Sequence, residues 1–272
     1  MAVADLSDQE FAQFQKMIYD IAGISLADSK KSLVSGRLSN RVLQHGLGSY
    51  GEYFKFLMDA NSQAELQAAV DLLTTNETYF FREAKHLEFL QEHIRVLHRP
   101  GRPFRVWSAA SSSGEEAYSI AMLLADVLGE VPWEIVGSDI STRVLHKARQ
   151  GHYPMARIDG IPRHYLHRFC LKGIGKQEGT FLVERALRER VKFHHINLNA
   201  ALPALGEFDV IFLRNVMIYF DLATKQDVLK RIFPLLRPGG YFIISHSETL
   251  NGISSALKMV RPSIYQKPLG SH

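Results

Sequence analysis

The sequence is poor in cysteine and has no long apolar run, and each absence excludes a class of protein. Cys170 is the one cysteine among 272 residues, so no disulfide can form within the chain, and we expect a protein of the reducing cytoplasm. The longest apolar stretch, residues 210–220, is interrupted by Arg214 and Asn215 and falls well short of the ~20 apolar residues that span a membrane. We therefore expect no direct membrane insertion.

Three further features are missing. The residues that follow Met1 lack the basic and apolar segments of a signal peptide, so we expect none. No spacing of cysteine and histidine is typical of a metal site, and we expect no metal. The formal net charge is +4, which suits acidic partners without requiring nucleic acid. We expect a protein that binds no nucleic acid and acts as a monomer.

What the sequence does contain is a strand–loop–helix–strand unit at residues 104–139. An apolar run at 104–107 predicts a strand, small residues up to Gly114 predict a loop, and a helical pattern leads to a second strand that ends before Asp139. Small residues let backbone N–H groups approach a ligand, and an acid about 20 residues downstream suits ribose hydroxyls. The unit predicts a nucleoside site.

The same unit departs from the dinucleotide fingerprint, which needs three glycines where this loop has Gly114 alone. Glu115 and Glu116 open the helix, where they complement its dipole but would also repel a pyrophosphate. We therefore favour a nucleoside ligand without phosphate, and S-adenosylmethionine first. Two plainer alternatives stay open at this point: an ordinary βαβ unit, and Asp139 as an N-cap of the helix that opens near Ser141.

The rest of the chain divides into a helical part and an α/β part. We take residues 1–75 as a helical substrate-docking domain, 76–103 as a linker and helix that contribute to the site, and 104–272 as the α/β domain. Alternating strands and helices predict a doubly wound sheet, in which ligands lie at the carboxyl ends of the strands. Four polar or small residues fall at such predicted ends: Gly114, Asp139, Asn197 and Arg214.

A basic stretch occupies the second predicted helix. Residues 29–51 contain no acid, yet they include Lys30, Arg37, Arg41 and His45, the last three at i, i+4 and i+8 on one helix face. A solvated face is the plain alternative. Because the surrounding segment is otherwise acidic, we expect this stripe to dock an acidic helix.

Seven segments together point to a family: TNETYFFRE (75–83), VWSAASSSGEEAYSIA (106–121), SDI (138–140), NLN (197–199), FDVIFLRNVMIYF (208–220), LRPGGY (236–241) and HSE (246–248). They resemble the CheR family of chemotaxis receptor glutamate methyltransferases over nearly the whole chain. The resemblance implies a helical N-terminal domain, a Rossmann-like α/β methyltransferase domain and a small antiparallel β insert, here at about 171–195. It implies transfer of the methyl group of S-adenosylmethionine to glutamate carboxylates of methyl-accepting chemotaxis receptors, which gives methyl esters and S-adenosylhomocysteine.

The resemblance also implies site residues. Those for the cofactor are Asn76, Thr78, Arg82, Glu115 or Glu116, Asp139, Asn197, Leu198, Arg214 and Asn215, and the choice between the two glutamates stays open. Tyr219 matches the family's tyrosine near the methyl group. Arg82, Arg214 and Tyr219 are suited to hold a substrate carboxylate by charge-assisted hydrogen bonds. A glutamate with a reference pKa of ~4.3 is already ionised at neutral pH, so the reaction needs orientation and no general base.

The predicted insert carries a glycine loop, Gly173, Gly175 and Gly179. It resembles the loop of family members that tether a receptor's C-terminal pentapeptide by strand addition. A solvated hairpin is the alternative.

Two other functions fit the sequence less well than methylation of receptors. Methyltransferases that act on the amino groups of nucleic-acid bases look like Asn/Asp-Pro-Pro-Tyr/Phe after the fourth strand, and residues 213–216 here are Leu-Arg-Asn-Val. A non-catalytic module that senses S-adenosylmethionine would need a ruined substrate pocket, yet Arg82, Arg214 and Tyr219 are all present.

Overall fold

A computed structural model describes residues 3–253 and 256–270. Five helices open the chain: α1 (Asp8–Ala22), α2 (Lys31–Gln44), α3 (Tyr50–Leu57), α4 (Gln63–Leu73) and α5 (Ala84–Leu97). The first begins at a capping box, in which Ser7 and Glu10 each accept a hydrogen bond from the other's backbone N–H, and it ends at Gly23 in a left-handed conformation, φ 72°. Among the helices of the described ranges, none is both long and apolar enough to cross a membrane.

A seven-stranded sheet forms the centre of the α/β domain. Its strands are β1 (Phe104–Ser108), β2 (Trp133–Asp139), β6 (Val191–His195), β7 (Phe208–Phe212), β8 (Leu236–Ile243), β9 (Lys258–Arg261) and β10 (Ile264–Gln266), in the order β6-β2-β1-β7-β8-β10-β9. The first five strands in this order are mutually parallel, β10 is antiparallel to its neighbour β8, and β9 is antiparallel to β10. The connecting helices are α6 (Glu115–Leu128), α7 (Thr142–Gln150), α9 (Arg185–Glu189) and α10 (Leu222–Ile232). The predicted doubly wound, Rossmann-like fold is confirmed.

Both faces of this sheet are covered, which is why its central strands are continuous apolar runs. Along β7, Val210 and Phe212 enter one buried cluster with α6, while Ile211 enters another. That second cluster also contains Phe14 and Leu38 of the N-terminal helices. The helical region therefore packs on one face of the sheet and shares its core.

The small insert differs from its predicted bounds. It is a three-stranded antiparallel sheet of β3 (His152–Pro154), β4 (Cys170–Lys172) and β5 (Thr180–Val183), in the order β3-β5-β4, with α8 (Arg163–Phe169) before β4. The predicted bounds of about 171–195 are wrong at their end, because residues 191–195 are β6, which pairs with β2 in the large sheet. A five-residue β-forming run shows a strand but not which sheet it joins.

Candidate active site

A cavity of about 530 Å³ lies at the carboxyl ends of β1, β2, β6 and β7. Its volume is typical of small-molecule sites. Residues 22–37 of the helical region close it from the other side. The structure brings to it nearly all the residues proposed from the sequence: Lys30, Arg37, Asn76, Thr78, Arg82, Glu116, Asp139, Asn197, Leu198, Arg214, Asn215 and Tyr219.

The loop after β1 and the end of β2 hold a buried carboxylate at the cavity. Asp139 accepts hydrogen bonds from the backbone N–H groups of Ser112 and Ser141, both at 2.9 Å. Burial raises the pKa of Asp139, against these bonds, which lower it. The N-cap of α7 is Ser141, not Asp139. Each Asp139 oxygen therefore accepts one backbone bond and retains a lone pair that suits a ribose hydroxyl.

The structure distinguishes the two acids that open α6. Glu116 lines the cavity, accepts from Ser108 Oγ at 2.7 Å and lies 3.0 Å from Arg214 Nη1. Glu115 is buried away from the cavity, accepts from Ser113 Oγ, and has its pKa raised by that burial. Successive helical residues point about 100° apart, so one acid faces the cavity and the other the core. Glu115 is thus removed from the expected cofactor set.

Arg214 is a fixed wall of the cavity. Its side chain is 3% exposed, and its guanidinium lies between Glu116 and Glu83, the latter at 3.4 Å from Nη2. Nη2 also donates to the Arg82 carbonyl at 2.6 Å. Nε is buried without a hydrogen-bond partner, so one donor of Arg214 remains unsatisfied. The two carboxylates already neutralise the cation expected to grip the substrate.

Arg82 is placed differently. Its Nη1 donates to the Glu77 carbonyl at 2.9 Å, and its guanidinium carbon lies 5.5 Å from the centre of the Tyr79 ring. Both partners are uncharged, so they leave the positive charge of Arg82 available to a ligand. Between the two predicted arginines, Arg82 is the better placed to attract an anion.

Tyr219 and the helical region meet at the cavity mouth. The Tyr219 carbonyl accepts from Ser25 N at 2.8 Å, and Ile24 forms an isolated antiparallel bridge with Phe220. Asn197 Nδ2 donates to the Ile21 carbonyl at 2.7 Å. None of the residues that form this wall was predicted from the sequence: Ala22, Ile24, Ser25, Leu26, Ala27 and Leu33. The one sequence feature in this wall is Gly23, which predicts the end of a helix but does not indicate a ligand.

Four residues with a strained backbone lie in or next to the same cavity: three of them line it, and Glu83 follows the lining residue Arg82. Phe81, Glu83, Ser112 and Asn215 have φ between 48° and 59°, a region that non-glycine residues seldom adopt. Such residues concentrate at binding sites, where the surrounding contacts enforce an unfavourable backbone. They support the assignment of this cavity as the functional site.

The expected basic stripe on α2 is in large part used within the fold. Arg41 pairs through two nitrogens with the buried Glu65, and His45 Nε2 lies 3.1 Å from the same carboxylate. Burial by itself would raise the pKa of Glu65, but hydrogen bonds from Arg41, Tyr53 and His45 outweigh it and lower the pKa to about 2. The prediction of a free stripe is therefore wrong for Arg41, which holds α2 to α4.

Arg37 and Lys30 keep a relation to the site. Arg37 Nη1 donates to the carbonyls of Leu73 and Thr74 at the end of α4, at 3.0 and 3.1 Å. Both cations line the cavity, and Lys30 is exposed.

The glycine loop lies in the insert, between β4 and β5. A side chain at Gly173 would come within 2.0 Å of the Gln177 carbonyl, and Gly175 and Gly179 have φ of 57° and 80°. These three positions therefore need glycine for steric and backbone reasons. Beside them β4 is an edge strand of the small sheet, and Ile174 is 82% exposed.

One group of metal-ligating side chains occurs in the part of the chain that the structure describes. The ligand atoms of Glu83, His86 and His246 lie within 4.8 Å of one another. Glu83 already pairs with Arg214, as described above, so its carboxylate is not free for a cation. The expectation of a metal-free site stays a prediction.

Comparisons with known proteins follow the same division of the chain. Residues 9–74 match the family model "CheR methyltransferase, all-alpha domain", and residues 76–265 match "CheR methyltransferase, SAM binding domain". A chemotaxis protein methyltransferase of Salmonella typhimurium is 43% identical over 263 residues, which cover 96% of this chain and 90% of that protein. Chemotaxis protein methyltransferase 2 of Pseudomonas aeruginosa is 45% identical over 260 residues, 94% of this chain and 92% of that protein. The chain belongs to the CheR methyltransferase family.

Proposed function

We propose that this protein transfers the methyl group of S-adenosylmethionine to glutamate side-chain carboxylates of chemotaxis receptors. The observation that carries the proposal is one cavity that combines a nucleoside-type wall with three cations, Lys30, Arg37 and Arg82, besides Arg214, which two carboxylates neutralise. Its relatives named chemotaxis protein methyltransferases give the context of the reaction. The cations favour an anionic acceptor, and a receptor glutamate is one.

The residues present fit S-adenosylmethionine. Asp139 offers buried carboxylate oxygens to the ribose hydroxyls, and the small side chains of the loop after β1 leave room for the nucleoside. The Glu116 carboxylate lies in the same wall and tolerates a cationic ligand better than a phosphate. When bound, the cofactor supplies a methyl group that its sulfonium already activates. No metal or general base is part of the proposal.

The acceptor carboxylate is oriented by Arg82 and Tyr219. Arg214 is held between two carboxylates, so we assign it to shaping the wall rather than to gripping the substrate. Arg82 keeps its charge, and the Tyr219 hydroxyl supplies a neutral donor at the half-buried turn. A carboxylate held by one cation and one hydroxyl is positioned for in-line attack, with a lone pair left for the methyl group.

Receptor docking has two proposed parts. Lys30 and Arg37 lie at the cavity, where they suit an acidic receptor helix. The edge strand β4, with exposed Leu171 and Ile174 beside it, suits strand addition by a receptor's C-terminal pentapeptide. Such a tether raises the local receptor concentration without changing the catalytic site. The proposal includes a cytoplasmic monomer, as expected from the sequence.

A methyl-transfer assay tests the proposal. The protein is mixed with methyl-labelled S-adenosylmethionine and membranes that carry chemotaxis receptors, and the label is followed on the receptor band. We expect label that alkali releases as methanol, which is diagnostic of a carboxylate ester. Label that resists alkali, or that enters nucleic acid instead, would refute glutamate methylation. Binding of the cofactor without any transfer would favour a sensing module.

A further inference from the structure

The turn that carries Arg214 and Tyr219 is built around a carboxylate that does not line the cavity. Glu248, from the loop after β8, accepts from Asn215 N at 3.0 Å, from Ile218 N at 3.2 Å and from Ser245 N at 2.9 Å. Three backbone donors thus converge on one side chain. Sequence reasoning recognised the HSE segment only as a match to the family and gave Glu248 no role.

The backbone explains why these donors converge. Asn215 is left-handed, φ 59°, and Val216 follows at φ −124° and ψ −33°. A left-handed residue beside a right-handed one turns successive N–H groups toward one side and makes a concave anion-binding site, a nest. In this turn Glu248 occupies the nest. Without it, the N–H groups of Asn215 and Ile218 would lose the acceptor that the fold provides, and the turn would lose the contacts that hold its backbone.

A second carboxylate fixes the other side of the same loop. Ser245 Oγ accepts from Asn215 Nδ2 at 2.8 Å and donates to Glu83 Oε1 at 2.8 Å. Glu83 in turn lies 3.4 Å from Arg214 Nη2. The ends of β7 and β8 and the linker before α5 are therefore joined by one polar network. Glu248 is the member of it that contacts the turn's backbone directly.

We propose that Glu248 is a positioning residue for methyl transfer, whose carboxylate fills the backbone nest of residues 214–219 and thereby fixes Arg214 and Tyr219 at the cavity. The role for turnover rests on the proposed function, since it assumes that these residues serve methyl transfer. The occupied nest itself does not depend on that assumption. Burial raises the pKa of Glu248, while the backbone N–H groups act against it, as they would on a carboxylate held in such a nest.

Chemical rescue tests the proposal. Glu248→Ala removes the side chain beyond Cβ and leaves a space that acetate can fill, because the methyl carbon and the carboxylate of acetate correspond to Cγ and the carboxylate of glutamate. In the full-length protein we expect turnover on receptor membranes to fall roughly tenfold to a hundredfold, with the affinity for S-adenosylhomocysteine changed less than threefold. Acetate should restore at least a third of the turnover, whereas sodium chloride of equal ionic strength should not.

Two further variants make the result specific. Glu248→Gln keeps an amide oxygen that can still accept from Asn215 N and Ser245 N, but its NH₂ group cannot accept from Ile218 N, so turnover should fall less than in Glu248→Ala and should not respond to acetate. Glu130→Ala removes an exposed acid before β2, at the amino end of the strand and so opposite the cavity, and should behave as wild type. Wild-type turnover in Glu248→Gln would overturn the proposal. So would equal losses of turnover and cofactor affinity with no response to acetate, which indicate a general structural defect.

Amide hydrogen exchange separates this proposal from the proposed function. In the wild type, the amides of Asn215 and Ile218 should be protected, and in Glu248→Ala they should lose protection and regain it with acetate. This readout does not require any methyl acceptor. If the wild-type protein does not methylate receptors but its amides are protected as expected, the proposed function is wrong while the proposed contact of Glu248 with the turn is supported. If Glu248→Ala does not fold, the turnover of Glu248→Gln and the amide protection of the wild type test the proposal instead. Wild-type amides of Asn215 and Ile218 that exchange without protection would contradict the proposed nest.

Discussion

The cavity has two walls of different origin. The strand-end wall, from the loops after β1, β2 and β7, is anchored by buried carboxylates, with Asp139 and Glu116 holding backbone, hydroxyl and guanidinium donors. The helical wall, residues 22–37, reaches the site through a few polar links such as Ser25 N to the Tyr219 carbonyl. A rigid wall suits a cofactor of constant shape, and a wall contributed by the helical region suits a substrate presented by another protein. We infer that the first binds the cofactor and the second meets the receptor.

The largest effect should come from the rigid wall. Arg214→Ala would leave the Glu83 and Glu116 carboxylates together without their cation. Breaking such a buried pair costs about 3–5 kcal/mol. We expect a loss of unfolding free energy of that order together with loss of turnover, measured by urea denaturation and methyl transfer. Unchanged stability would mean that this wall is less rigid than its contacts indicate.

The helical wall has its own buried anchor, which pH should reveal. Glu65 has a pKa of about 2 in the folded protein against an ordinary value near 4.5, so it stabilises the fold above pH 4.5, and this contribution is lost as pH falls toward 2. The shift corresponds to a few kcal/mol. Urea denaturation should show a smaller loss between pH 5 and pH 2.5 in Glu65→Gln than in wild type. If the free energy of unfolding depends on pH in the same way in both proteins, Glu65 does not contribute the expected stability.

Cofactor affinity should depend on the strand-end wall rather than on the helical wall. Asp139→Ala removes an acceptor for the ribose hydroxyls, worth ~1.5–3 kcal/mol for a hydrogen bond to a charged group, which is roughly tenfold to a hundredfold in affinity. Calorimetry with S-adenosylhomocysteine measures it, and circular dichroism controls for folding. An unaffected dissociation constant would contradict the placement of the cofactor.

Tyr219→Phe should have a smaller effect, and on turnover rather than on binding. It deletes one hydroxyl at the turn between the two walls, so we expect roughly tenfold slower methyl transfer and an almost unchanged cofactor affinity. If turnover is that of wild type, Tyr219 serves packing and does not contact the acceptor.

The two walls also differ in how far the sequence revealed them. The strand-end residues follow predicted strands, and in a parallel sheet all carboxyl ends lie at one edge, so their convergence followed from local patterns. Ile24, Ser25 and Leu26 carry no such pattern, because their place depends on how the helices pack on the sheet. Asp71 shows the same limit. It accepts from the N–H groups of Thr142 and Arg143 and so caps α7 from α4, a contact between segments about 70 residues apart.

Errors on the sequence side have the same physical origin. Periodicity placed Arg37, Arg41 and His45 on one helix face correctly, but it could not show that the face packs against Glu65. Likewise residues 191–195 were included in the predicted insert, whereas they form a strand of the large sheet. Spacing fixes which residues share a face, and tertiary packing decides what that face meets.

One double variant tests most directly whether the strand-end wall binds the cofactor and the helical wall meets the receptor. Lys30→Gln with Arg37→Gln neutralises the two cations of the helical wall and leaves Asp139, Glu116 and Arg214 intact. S-adenosylhomocysteine affinity and the receptor methylation rate should be measured on the same preparation, with Asp139→Ala as the reciprocal control. We predict an unchanged affinity and a methylation rate reduced severalfold at low receptor concentration. A parallel loss of affinity and rate, or wild-type methylation, would contradict the account.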